Sequence, residues 1–270
     1  MRPELFIANR LYFDKEGQKK SSRPAVRVAL LGMIIGVLVM VLTLCVVVGF
    51  KRTITDKVAC FGAHIQLSGF ESNNTFEKMP VVVSDSLLQQ LSAIPNVTRV
   101  ETFLTKPGII KTEDSFQGVV LKGKDKLTTM EPLLVAGRLP ETEQEVLLSQ
   151  RQCQLLKLEP EDKVYCYFVG EEVRVRRFTV SGIYATGLQE SDELFVWCKS
   201  NVIRRLNEWD STQVSGVEMG VKDVRKMNEV SDRIWLATAN RLSEGEEGLY
   251  MQTLDQLNPQ IFSWLDLLDM

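Results

Sequence analysis

Histidine is almost absent. Of 270 residues only His64 carries an imidazole, which excludes a His-rich metal site and most Ser-His or Cys-His nucleophile pairs. His64 itself reads as a packed or surface side chain beside a strand. No G-x-x-x-x-G-K-[ST], G-x-S-x-G or G-x-G-x-x-G run occurs, so a phosphate loop, a nucleophile elbow and a dinucleotide fingerprint of these kinds are excluded. A surplus of positive charge is also lacking. With 32 basic and 35 acidic side chains the net charge is −3, and nucleic-acid binding is excluded by composition. Low-complexity runs and Pro/Gly/Ser linkers are missing too. The acidic groups Glu141/Glu143/Glu145, Glu159/Glu161/Asp162, Glu190/Asp192/Glu193 and Glu244/Glu246/Glu247 lack EF-hand spacing and read as solvated loops. No metal, no cofactor and no catalytic group is called for.

What is present is one long apolar run. Val28–Phe50, 23 residues, contains no charge. As a helix it would be about 34 Å long, enough for a hydrocarbon core of about 30 Å. Backbone polar groups in lipid must be satisfied internally, so the run reads as a helix despite its many valines. It is too long for the core of a signal peptide, and Val48-Gly49-Phe50 is a poor cleavage site. Residues 1–27 carry a net +4 and residues 28–270 a net −7. Short basic segments stay in the cytoplasm, so a cytoplasmic N-terminus and a large domain on the far side are expected. In Pro3–Phe13, Leu5, Ala8 and Tyr12 share a helical face that could lie on the membrane surface. Within the span, Gly32 and Gly36 have the small-xxx-small spacing that lets helices approach. Met40, Leu44, Val47 and Val48 form one stripe near its outer end.

Residues 51–270 are enough for a sizeable core. Strands are expected at Ala63–Phe70, Val97–Leu104, Gly108–Lys111 and Gln117–Lys122, and a helix at Asp85–Ile94 capped by Ser84. This β-α-β-β-β run implies an α+β layer. A second unit follows with a strand at Glu145–Leu148, a helix at Ser149–Lys157 and a hairpin of Val164–Val169 with Val173–Ile183. In the hairpin Val173, Val175, Phe178 and Val180 alternate with arginines, and a break near Arg177 suggests a bulge. Further on come a strand at Leu194–Trp197, a Ser200-capped helix Asn201–Trp209, a strand Val214–Val221 and an amphipathic helix Asp223–Leu236 with Val224, Met227, Val230 and Ile234 inward. The expected organisation is a 1–27 elbow, a 28–50 span, a 51–135 α+β subdomain, a 136–221 inserted β-rich subdomain, and 222–270 returning to the first subdomain and leading towards a further span. Of the five cysteines, Cys45 lies in the span. Cys60, Cys153, Cys166 and Cys198 allow three pairings. Cys166–Cys198 is favoured among bridges, with free buried thiols the equal alternative.

Several stretches resemble the permease subunits of bacterial lipoprotein-releasing ABC transporters, the Lol family. Leu5-Phe6-Ile7-Ala8-Asn9-Arg10-Leu11-Tyr12 resembles that family's cytoplasmic elbow. Gly32 to Gly36 and Val47-Val48-Gly49-Phe50-Lys51 resemble its first span, and Cys60-Phe61-Gly62-Ala63-His64-Ile65 the entry to its periplasmic domain. Gly137-Arg138-Leu139, Glu145-Val146-Leu147-Leu148 and Phe178-Thr179-Val180-Ser181-Gly182-Ile183 resemble the inserted subdomain shared with MacB-type permeases. Ile261-Phe262-Ser263-Trp264-Leu265 resembles the lead into a second span. The resemblance implies an α+β, MacB-like periplasmic core behind one transmembrane helix in a bacterial inner membrane. It also implies a separate cytoplasmic ATPase subunit, a second permease subunit, and a lipoprotein substrate whose acyl chains would meet Met40, Leu44, Val47 and Val48. In one Lol permease type a periplasmic carrier docks on a long, Pro-containing hairpin. The corresponding Tyr165–Phe178 hairpin here is short and Pro-free, which speaks against docking through it. Alternatives are an FtsX- or MacB-like export permease with another cargo, and a single-span anchored scaffold.

Overall fold

The computed structural model describes residues 22–69, 78–113, 115–170, 172–243 and 248–266. The Pro3–Phe13 face, the 1–27 elbow up to Ser21 and the last acidic cluster lie outside them. The chain divides into two compact units, Met1–Ile54 and Thr55–Met270.

The first helix, α1, runs from Ser22 to Gly62 without a break, 41 residues or about 61 Å. It continues past Phe50, where the apolar run ends. Arg27–Thr55 is long and apolar enough to cross a membrane. The hydroxyls of Thr43 and Thr53 donate to the carbonyls of Val39 and Gly49, each at 2.9 Å, so neither adds an unmet polar group to the helix surface.

The second unit is α+β. Its strands are Ile65–Gly69 (β1), Val81–Val82 (β2), Val97–Lys111 (β3), Phe116–Lys124 (β4), Leu134–Gly137 (β5), Glu145–Ser149 (β6), Lys163–Phe168 (β7), Arg174–Tyr184 (β8), Phe195–Lys199 (β9), Gln213–Val214 (β10), Gly216–Val221 (β11) and Leu249–Thr253 (β12). Its helices are Asp85–Ser92 (α2), Gln150–Leu156 (α3), Gln189–Leu194 (α4), Ser200–Asn207 (α5), Met227–Ser243 (α6), Leu254–Leu257 (α7) and Pro259–Asp266 (α8). β12, β1, β11 and the first half of β3 form an antiparallel sheet. The second half of β3 opens a ring in which β3 pairs with β4, β4 with β9, β9 with β6, β6 with β8, β8 with β7, and β7 with β3 again. Closing the ring removes the exposed edges that an open sheet of short strands would present. One apolar core runs through both parts, from Ile65, Leu91 and Val217 to Val146, Val180 and Val196.

Local chemistry explains the helix starts. Ser84 accepts from the Leu87 N–H, and Ser149 with Gln152 makes a full capping box on α3. Ser200 does not cap α5, contrary to its reading from the sequence. The N-cap is Lys199, with no side-chain bond, because the Ser200 hydroxyl is taken by Asp125.

Three expectations are corrected. Val97–Leu104 and Gly108–Lys111 are one strand of 15 residues that runs through Pro107. The Thr105 N–H points to the β11 side and meets Ser215 Oγ at 2.9 Å. Two residues on, the nitrogen of Pro107 lies on that same edge, where β11 has ended opposite Phe103 and β7 begins only at Ile109. A missing N–H therefore loses no ladder bond. The bulge expected near Arg177 is absent, since the β7–β8 register is unbroken from Lys163↔Thr179 to Phe168↔Arg174. The alternation breaks because the hairpin projects, leaving Val173 and Val175 exposed on its end. Finally, Val224 is exposed in a 3-10 turn, and α6 begins only at Met227.

Gly216 shows how tightly the first sheet is built. A Cβ there would lie 2.2 Å from the Leu67 carbonyl and 2.8 Å from the Phe103 ring. Gly216→Ala is expected to cost about 1–3 kcal/mol, read as a lowered urea midpoint at unchanged m-value.

Candidate functional site

The span offers no face that its own surroundings single out. Met40, Leu44 and Val48 are 67%, 57% and 66% exposed, but Val41 and Leu42 off the stripe are exposed as well. Val47 is half-buried. A Cβ on Gly32 or Gly36 would meet nothing within 4 Å. The stripe and the two glycines are thus available for contact on an apolar helix.

The motifs around Gly137 and Gly182 have a structural explanation. Gly137 takes φ +74°, and a Cβ on it would lie 2.4 Å from the Ser181 carbonyl. Across from it, a Cβ on Gly182 would lie 2.5 Å from the Arg138 carbonyl. The two glycines let β5 and β8 cross backbone to backbone. Arg138 then forks onto Glu145, its nitrogens 2.5 and 3.1 Å from the two oxygens, and Glu145 also accepts the N–H groups of Glu141 and Thr142. Hydrogen bonding from Arg138 outweighs partial burial and holds the Glu145 carboxyl at about 2.

Two members of the Glu190/Asp192/Glu193 group are also occupied by the fold. Glu193 pairs with Arg151 at 3.0 Å. Asp192 is buried rather than solvated, accepting from the Thr186 hydroxyl at 2.6 Å and from the N–H groups of Thr186 and Gly187. Among the described residues no cluster could hold a metal ion. The imidazole Nδ1 of His64 accepts the Val221 N–H at 3.2 Å, which makes it a splice between α1 and β11. The hairpin base is tied down as well. Arg174 donates to the Leu206 carbonyl at 2.8 Å and lies 2.5 Å from Glu208 at the end of α5, inside a groove of about 600 Å³.

Cys166 and Cys198 are not bonded to each other. They and Cys153 are free and buried. Burial pushes the Cys153 and Cys166 thiols up to about 12, and Cys198 higher still. In the native protein, iodoacetamide at neutral pH is expected to leave these three unlabelled, with full labelling only in denaturant, scored by peptide mass spectrometry.

The most unusual site was not singled out from the sequence. On one face of the sheet Glu218 of β11 lies opposite Glu101 of β3, and Thr105 of β3 opposite Lys122 of β4. Glu218 holds both lysines, with Lys122 Nζ and Lys124 Nζ each 2.5 Å from one of its oxygens. Lys124 also reaches Glu101 at 3.2 Å, and Arg99 lies 3.6 Å from Glu101. Signs alternate along Lys122, Glu218, Lys124, Glu101 and Arg99, from a fully buried interior out to the surface. The Phe103, Phe195 and Trp197 rings surround the Lys122 ammonium at 5.4, 5.6 and 5.2 Å. Burial drives the Glu218 carboxyl up, but the ammoniums of Lys122 and Lys124 together outweigh it and hold the group at about 2. Lys78, 5.5 Å from the Phe103 ring, is lowered to about 8 by burial and then by Lys122. The sequence signal was a lysine pair at i, i+2 in Val119-Val120-Leu121-Lys122-Gly123-Lys124 and one acid inside Gly216-Val217-Glu218-Met219. Charges in otherwise apolar strands must be paired if buried.

Comparison with known proteins gives three findings. The family model for the MacB-like periplasmic core domain matches residues 28–235. The lipoprotein-releasing system transmembrane protein LolC of Xylella fastidiosa, in strains 9a5c and Temecula1, is 23% identical over 212 residues. That covers 73% of this chain and 49% of each relative, so the chain spans about half the length of the curated relatives it matches. Among solved structures, the periplasmic region of MacB from Actinobacillus actinomycetemcomitans aligns with TM-score 0.49 at 14% identity, over 73% of this chain and 91% of that one. The extracellular domain of the ABC-type transporter YknZ from Gram-positive bacteria aligns with TM-score 0.47 at 14% identity, over 70% and 99%.

Proposed function

The chain belongs to the MacB-like periplasmic core domain family, and on that premise we propose that it is the first span and extracytoplasmic domain of an ABC transporter permease that releases lipoproteins from the inner membrane. The observation that carries the reading is the likeness to LolC along 73% of the chain, beside a family-model match over residues 28–235 that takes in both the span and the folded unit.

In this reading α1 crosses the inner membrane with its N-terminus in the cytoplasm, and the α+β unit with its inserted subdomain lies in the periplasm. ATP is hydrolysed by a separate cytoplasmic subunit, and a second permease subunit completes the transporter. The 41-residue helix exceeds the hydrocarbon thickness by about 30 Å. A lipid-modified cargo needs an apolar wall, since each buried CH₂ is worth about 0.8 kcal/mol. The stripe Met40, Leu44, Val47 and Val48 supplies such a wall, and Gly32 and Gly36 supply a close approach for a partner helix. The hairpin base is engaged by α5, and transfer to a periplasmic carrier would use another surface.

The second reading, an export permease with a different cargo, is favoured by the family model, which is named for MacB. The two separate on one experiment. Depleting the protein in its host is expected to strand lipoproteins in the inner membrane fraction, with photocrosslinks from a probe at Val47 or Val48 to lipoprotein. An unchanged lipoprotein distribution together with no adduct would sink the lipoprotein reading.

A further inference from the structure

We propose that the alternating chain Lys122, Glu218, Lys124, Glu101 and Arg99 is an orientation latch, which locks the closed ring of strands to the first sheet so that the two move as one body. It does not rest on the identity of the cargo.

Two features define the junction. β3 is the strand common to the sheet and the ring, and over residues 104–108 it is paired on one edge only, by β4. Pro107-Gly108 sits in that stretch, so β3 alone is a weak brace against bending. The second feature is the difference between the two faces there. One face is apolar, with Leu104, Leu121, Cys198, Val217 and Met219 in the continuous core. Apolar contacts are non-directional and allow small sliding of one part over the other. The opposite face carries the charges, and these allow no such sliding. Glu218 comes from the first sheet, Lys122 and Lys124 from the ring, and the two 2.5 Å contacts fail if β4 shifts along β11 by a fraction of a residue.

Stability alone does not account for the arrangement. Two lysines and a glutamate with side chains 6%, 1% and 0% exposed must give up their hydration. Apolar residues of similar volume usually serve a core as well or better. What buried, fully paired charges add is a unique geometry. The aromatic rings around Lys122 reinforce it, since Trp197 and Phe195 lie on β9 within the ring and Phe103 on β3 at the junction.

The test uses the full chain in detergent, with Cys45 and Cys60 replaced by Ser and spin labels placed at Phe116 on the ring and Trp235 on α6, both exposed. Distances between the labels are measured by pulsed electron resonance in the parent and in the triple variant Lys122→Met, Lys124→Met, Glu218→Leu. The expected result is a cooperatively folded variant with a broadened distance distribution. A folded variant with the parental distribution overturns the latch. If the triple variant does not fold, Lys124→Gln takes its place, since it removes one of the two junction contacts and leaves Glu218 paired with Lys122. A broadened distribution there supports the latch, and an unchanged one overturns it.

Discussion

Glu218→Gln is expected to cost about 3–5 kcal/mol, because it leaves two buried ammoniums without the carboxylate they share. Lys124 keeps Glu101 at 3.2 Å, but Lys122 loses an oxygen 2.5 Å away. Against a typical total stability of about 5–15 kcal/mol this is about a fifth or more of what holds the fold, and urea unfolding should show it as a large drop in midpoint. The triple apolar replacement removes all three charges at once and should recover most of that loss. A substitution that breaks the set is thus predicted to be worse than one that abolishes it. If the Gln variant is as stable as the parent, the pairing described above contributes nothing.

The same group sets an acid limb. The folded value of Glu218 is about 2, below an unfolded value of about 4.3. A depressed carboxyl contributes stability that is complete above its unfolded value and is lost as pH falls through its folded value. The window is therefore about pH 5 to 2, and the difference of about two units corresponds to about 3 kcal/mol. Glu145, also held at about 2, acts in the same window, so Glu218→Gln should flatten the limb without abolishing it. At the alkaline end the sign is set by the buried thiols Cys153, Cys166 and Cys198, whose folded values lie above an unfolded value of about 8.5. Stability should therefore fall as pH rises past about 8.5. Lys78, lowered to about 8 by burial, and Lys122, also lowered by burial, offset part of that fall.

The second large effect concerns the membrane. Val28–Phe50 contains fifteen Leu, Ile, Val and Phe residues, worth about 5–9 kcal/mol towards insertion, while replacing one central valine by arginine costs about 3–4 kcal/mol. Val39→Arg alone is expected to leave the protein in the carbonate-resistant membrane fraction. Val39→Arg with Val41→Arg costs about 6–8 kcal/mol, enough to cancel the gain, and should release it. Full retention of the double variant would mean that something other than this run anchors the chain.

Much of the fold was legible because its causes are local. The capping serines at Ser84 and Ser149, the hairpin of β7 and β8, and the helix with Val230 and Ile234 inward are each fixed by residues within a few positions of one another. Where expectation failed, the deciding neighbour was remote in sequence. Pro107 looked like a strand break until the structure placed it on an edge with no partner. Ser200 looked like a cap until Asp125 occupied its hydroxyl. The break near Arg177 looked like a bulge until the structure kept the β7–β8 register and left Val173 and Val175 exposed.

By itself the sequence determined that a charge-free run of membrane length precedes an α+β body, because composition and short-range periodicity carry that information. Only the tertiary structure decided that β3 serves both sheet and ring, that six strands close on themselves, and that Lys122, Lys124 and Glu218 meet. Lys122 and Glu218 are nearly a hundred positions apart in the chain. Their attraction is strong only where the fold has excluded water, and no local pattern in the chain encodes which buried charge will find which partner.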